Sequence, residues 1–92
     1  MEKVIIKARK SVDKLLGFEK IVYRIDRKRV AEIDFPFSCC NISRDSYRVL
    51  CAFNHRGDGL SFDYKDLETA IEKTLRYLRG VYFDNCEIQN CY

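Results

Sequence analysis

Apolar and polar residues alternate along most of this chain with the two-residue period of half-buried strands. Residues 3–9 read as a first strand. In residues 20–26, Ile21, Tyr23 and Ile25 alternate with Lys20, Val22 and Arg24; in residues 30–37, Ala31, Ile33, Phe35 and Phe37 alternate with Val30, Glu32 and Asp34. A one-residue slip would turn either strand inside out, so the hairpin between them must bring both apolar sets to one face. A three-residue loop, Arg27-Lys28-Arg29, does this by pairing Ile25 with Ala31, Tyr23 with Ile33 and Ile21 with Phe35. The same register sets Arg24 opposite Glu32 on the outer face, a favourable cross-strand pair. Residues 39–45 read as a polar loop. Tyr47, Val49, Cys51 and Phe53 then alternate as a further strand, and Leu60, Phe62 and Tyr64 return after a turn in residues 54–59.

The period changes after residue 64. Leu67, Ala70, Ile71, Thr74, Leu75 and Leu78 follow helical spacing and predict one helix over residues 65–79. Asp63 is the expected N-cap, Asp66 and Glu68 suit the positive end of the helix dipole, Arg76 and Arg79 suit the other end, and Gly80 is the expected stop. A short helix over residues 12–16 is expected between Ser11 as cap and Gly17 as terminator, with Val12, Leu15 and Leu16 on one side. Residues 81–83 read as a return to the sheet and the last residues as a tail or a short edge strand. The expected architecture is one α+β domain over residues 1–92: an antiparallel sheet of four to five strands, the long helix (about 65–79) across one face, and the short N-terminal helix (about 12–16). The opposite sheet face would present Val22, Val30, Leu50 and Ala52 among charged neighbours, an apolar remainder for a partner or a second copy to cover.

Composition supports a folded chain, since 47% hydrophobic and 34% charged residues is a globular balance with no low-complexity tract. Charge is unevenly placed. Residues 1–30 carry ten Lys/Arg against four Asp/Glu, and residues 31–92 carry seven against ten, so the first third is +6 and the rest −3. Such a dipole favours an acidic partner. Only three apolar residues run together near Met1, too few for a signal-peptide core, and no apolar run approaches the ~20 residues of a membrane span. A cytoplasmic protein of a host-cell interior is the expectation, with no membrane among its partners. Five cysteines (Cys39, Cys40, Cys51, Cys86, Cys91) cannot form a complete internal disulfide set. Cys51 alternates with apolar residues and reads as a buried small hydrophobe. A Cys86–Cys91 or Cys40–Cys86 disulfide is conceivable; a zinc site lacks the paired-cysteine knuckle it needs. No metal and no cofactor is expected.

Candidate chemistry is sparse. His55, the single histidine, lies four residues from Cys51 and three from Asp58, so a nucleophilic cysteine with a base can be drawn. His55 belongs to a turn, however, Cys51 to the core pattern, and no Gly-rich phosphate loop or metal-binding helix motif occurs. Arg56-Gly57-Asp58 is the tripeptide integrins recognise, but glycine between charged residues is also what a tight turn uses. The chain therefore reads as a non-enzyme. Arg27, Lys28 and Arg29 form a basic hairpin tip, and Lys3, Lys7, Arg9, Lys10 and Lys14 a second cluster, both of the kind that phosphates attract.

The join from Leu60-Ser61-Phe62-Asp63 into Leu67-Glu68-Thr69-Ala70-Ile71 resembles the last strand and helix of the arm-site-binding domains of phage integrases. That resemblance, over about a dozen residues, implies a three-stranded sheet backed by one helix that reads DNA with the sheet. In size and makeup the chain is also similar to phage- and virus-encoded inhibitors of host defence, anti-CRISPR proteins among them. Taken together, the expectation is a binding protein acting through a macromolecular partner, a host defence protein before a nucleic acid. Val22, Arg24, Leu50 and Ala52 are its candidate docking residues, and a homodimer through the same face is a further candidate. The alternative is a small nucleic-acid-binding protein that uses Arg27, Lys28, Arg29, Lys7, Lys10 and Lys14.

Overall fold

A computed structural model describes residues 3–39 and 41–92. Eight strands and one helix follow in the order β1 (Val4–Val12), β2 (Glu19–Ile25), β3 (Lys28–Asp34), β4 (Phe37–Cys39), β5 (Ile42–Arg44), β6 (Tyr47–Cys51), β7 (Leu60–Tyr64), α1 (Leu67–Val81) and β8 (Cys86–Asn90). Six of the strands form one mixed sheet in the order β7-β6-β3-β2-β1-β8, and β4 pairs with β5 as a separate hairpin. The sheet is thus wider than the four to five antiparallel strands expected. Its last member, β8, runs parallel to β1 with Ile6 beside Ile88, which the crossover through α1 makes possible.

One sheet face carries the core. Ile6, Ala8, Ile21, Tyr23, Ala31, Ile33, Val49 and Cys51 are buried there against Ala70 and Leu78 of α1. The helix presents Ala70, Thr74 and Leu78, spaced i, i+4, i+8, as its buried line, with Leu75 only half-buried beside it. Thr74 donates its hydroxyl to the Ala70 carbonyl at 2.8 Å, so the one polar group in that line is satisfied. Asp66, not Asp63, is the N-cap and accepts from Thr69 N at 2.7 Å. Asp63 lies within β7 and is bonded to Arg48 instead. The helix runs past Gly80 to Val81. Residues 82–85 form a turn rather than a strand, with Phe83 and Asp84 at positive φ and Phe83 exposed.

No helix forms at residues 12–16. β1 continues to Val12, which pairs with Glu19. Asp13 then closes a turn: its Oδ1 accepts from Leu15 N at 2.9 Å and Leu16 N at 2.7 Å, and its own N donates to Phe18 O at 2.8 Å. A helix of five residues makes too few hydrogen bonds to offset its nucleation, and its apolar side would have no partner, since Leu15 is 89% exposed.

The first hairpin differs from the expected register by two residues. Tyr23 pairs with Ala31 and Ile21 with Ile33, then the ladder shifts so that Arg24 faces Arg29 and Ile25 faces Lys28. Val30 is the extra residue of this β-bulge, and the turn shrinks to Asp26-Arg27 with Asp26 at φ 54°. A shift of two keeps Ala31, Glu32, Ile33 and Asp34 on their expected faces, but Val30, expected on the outer face, packs against the core. The shift replaces the Arg24–Glu32 pair by Arg24 opposite Arg29, and it sets Glu32 opposite Val22. Between β6 and β7, Asn54 Oδ1 accepts from Arg56 N at 2.8 Å and Asp58 N at 3.1 Å. Gly59 closes this turn where a Cβ would lie 2.5 Å from the Cys51 carbonyl, so no other residue fits.

Candidate anion-binding face

The sheet face turned away from α1 is divided by charge. Its rows follow from the register: Lys7 beside Arg24; Arg9 beside Val22, Glu32, Leu50 and Ser61; Ser11 beside Lys20, Asp34, Arg48 and Asp63. Across β3, β6 and β7, with Lys20 of β2, the charges alternate and most of them are paired. Glu32 Oε1 receives Arg29 Nη1 at 3.1 Å and Lys20 Nζ at 3.9 Å, and Arg48 Nε meets Asp63 Oδ1 at 2.9 Å. Arg48 holds the Asp63 carboxyl below its ordinary range. Arg29 is fixed further by the Phe53 ring, 4.1 Å from its guanidinium carbon, and by the Gly57 carbonyl.

Asp34 is the unusual member of this half. It is buried, and its Oδ1 has no hydrogen-bond partner among the described residues. Burial raises its pKa, and the neighbouring Glu32 carboxyl raises it further as hydrogen-bond partner and like charge; Arg44 and Lys20 act in the opposite direction, and the result is pushed up to about 7. Glu32 keeps its two cations and Asp34 holds a proton over most of the acidic range.

Across β1 and β2 the arrangement is the reverse. Lys7, Arg9, Arg24 and Arg27 line one groove of about 360 Å³, together with Ile5 and Asp26. Lys7 and Arg24 stand directly opposite one another, a placement that destabilises a strand pair unless an anion lies between. None of the ion pairs among the described residues involves these four cations. The groove is therefore a concave patch with four cations and one carboxylate, Asp26, in which none of the cations is held in an ion pair among the described residues.

The expected site residues are scattered by this geometry. Arg24 and Arg27 come together with Lys7 in the groove. Lys28 begins β3 and is exposed, and Arg29 is committed to Glu32. Lys10 pairs with Ile21 and so points to the helix side, where it meets Glu19 at 3.4 Å and the Phe35 ring. Lys14 is exposed in the Asp13 turn. Val22 is 2% exposed, Leu50 is half-buried, and Ala52 follows β6 at φ 56°, exposed beside Tyr77 and Leu78 of the helix, so the apolar remainder expected on this face is not a continuous surface. Arg9, expected in the second basic cluster, belongs to the groove.

Cys51 is buried, with its thiol pKa raised by desolvation, while His55 sits exposed in the 54–58 turn. Cys86 and Cys91 carry free thiols; five residues of strand separate them by roughly 16 Å, beyond disulfide reach. The Cys40–Cys86 pairing lies outside the described residues. No group of three metal-ligating side chains occurs among the described residues, and no helix among them is long and apolar enough to cross a membrane. No protein-family model, curated protein or solved structure matches the chain.

Proposed function

We propose that this protein is a binding module for a polyanion, the phosphate backbone of a nucleic acid, which it takes on the β1–β2 end of its open sheet face. The observation that carries this reading is the groove of Lys7, Arg9, Arg24 and Arg27, four cations with no ion pair among the described residues. A protein surface normally disperses or pairs such charges, as the other half of the same face does. Phosphates at successive positions would neutralise the row and release counterions, which drives association. No aromatic side chain lines the groove, so recognition rests on the backbone rather than on base stacking, with weak sequence preference.

Fluorescence anisotropy with labelled single- and double-stranded oligonucleotides across a salt series tests the proposal. Affinity should fall linearly with log salt, with a slope of roughly 0.7–0.9 per phosphate neutralised. A host defence protein with an acidic surface, the partner suggested by size and makeup, would meet the same four cations. It becomes the better reading if no oligonucleotide binds at physiological salt.

A further inference from the structure

The two edges of the six-stranded sheet are protected unequally. At one edge, β8 exposes Glu87, Gln89 and Asn90 and is followed by Cys91, whose N donates to Ala8 O at 2.8 Å. Polar residues of this kind discourage strand addition. At the other edge, β7 has no strand beyond it among the described residues. Leu60 and Phe62, in register with Cys51 and Val49 and so on the helix side, remain 59% and 47% exposed. The only charged residue of β7, Asp63, is on the opposite side and is held by Arg48. An edge that combines unpaired backbone groups with uncovered apolar side chains is the kind that proteins otherwise blunt.

The sequence of β7 is self-complementary. If two copies run antiparallel about Phe62, that residue lies opposite its own counterpart, Leu60 lies opposite Tyr64, and Ser61 lies opposite Asp63. The apolar positions then share one side and the polar positions the other. No like charges face each other, and the Ser61 hydroxyl can donate to the Asp63 carboxylate. A twofold interface must bring the same patch from both partners into register with itself, and this strand does so in a single step. We infer that β7 is the seam of a homodimer in which two copies pair edge to edge and continue one sheet across the twofold axis. Each Phe62 and Leu60 gains its missing cover from the other copy. The inference stands on β7 alone and is independent of what the basic groove binds.

One strand and two side chains per copy make a small interface, so dimerisation should be sought up to ~1 mM chain. In sedimentation equilibrium the mass should rise with concentration from 10.9 kDa toward twice that value. Phe62→Lys, which sets two cations opposite each other, should hold the mass at the monomer value while the circular dichroism spectrum is unchanged. Phe62→Cys under oxidation should give a disulfide between the two introduced thiols, identified by peptide mass spectrometry, and Glu87→Cys on β8 should not. The Phe62→Cys experiment decides the matter if Phe62→Lys fails to fold. A wild-type mass that stays at 10.9 kDa over the whole series overturns the inference. So does a dimer that survives Phe62→Lys, or one that cross-links through β8 and not through β7.

Discussion

The outer sheet face is two surfaces laid side by side on the same pleat. Over β3, β6 and β7, Arg29 and Arg48 each have a carboxylate within 4 Å, and so does Lys20 at the β3 side of β2. Over β1 and β2, Lys7, Arg9, Arg24 and Arg27 have none among the described residues. A cation paired across strands contributes to stability, whereas a cation facing another cation detracts from it. The β1–β2 half is therefore where this fold gives up stability, and the simplest reason to do so is a ligand that restores the balance.

The comparison can be broken most forcefully at Glu32. Reversing its charge with Glu32→Lys places a third cation among Lys20 and Arg29 in a site that is only 5% exposed at the side chain. Removing one partner of a buried pair typically costs about 3–5 kcal/mol, and urea denaturation should show a loss of that order. The matching reversal in the other half, Arg24→Glu, should show none.

Asp34 sharpens the contrast through pH. Its folded pKa is raised above the unfolded value of 3.8, so the unfolded chain ionises first. Stability from this group is complete below about pH 4, falls as pH rises through the folded value, and is constant above it. The loss should be on the order of 1–4 kcal/mol. Denaturant titrations between pH 4 and 8 should show Asp34→Asn gaining on the wild type across that window. A wild-type chain that gains stability relative to Asp34→Asn as pH rises would show that Asp34 is ionised and paired.

Smaller effects of opposite sign are expected from the exposed cations. Arg48→Ala loses the Asp63 pair and should destabilise by about 0.2–1 kcal/mol. Arg24→Glu relieves the repulsion with Lys7 and should stabilise by a similar ~0.2–1 kcal/mol. Thermal melts of the two variants under one buffer condition would show whether their signs differ.

How much of this could be read from the residues depends on how local the signal was. The strands with strict alternation and the helix with its 3.6-residue period were legible because each buries one face. β8 was legible only as one of two alternatives, a tail or a short edge strand, and its parallel pairing was not, since Cys86 and Ile88 alone mark a strand whose partner, β1, is far away in sequence. The five-residue N-terminal helix failed because Val12, Leu15 and Leu16 match helical spacing by position only, while Asp13 supplies a turn and residues 18–19 supply a ladder partner. The bulge turned Val30 from its expected outer face to the core and exchanged the cross-strand partners, and that exchange decides the site. It gave Glu32 to Lys20 and Arg29, leaving Arg24 beside Lys7. A basic cluster was visible in the composition; which of its members remain uncompensated was not, because pairing across strands is a property of the register.

The central claim is that the unpaired cations, and not positive charge in general, form the binding surface. Its most direct test compares two double variants on one double-stranded oligonucleotide: Lys7→Ala with Arg24→Ala, and Lys20→Ala with Arg48→Ala. Both remove two positive charges, so net charge is matched. The first pair should lower the slope of log affinity against log salt by about 0.9 for each phosphate left without its cation, and the second should leave it unchanged. Equal losses from the two pairs would contradict the account, because the protein would then be attracting nucleic acid through its overall charge and not through the groove on β1 and β2.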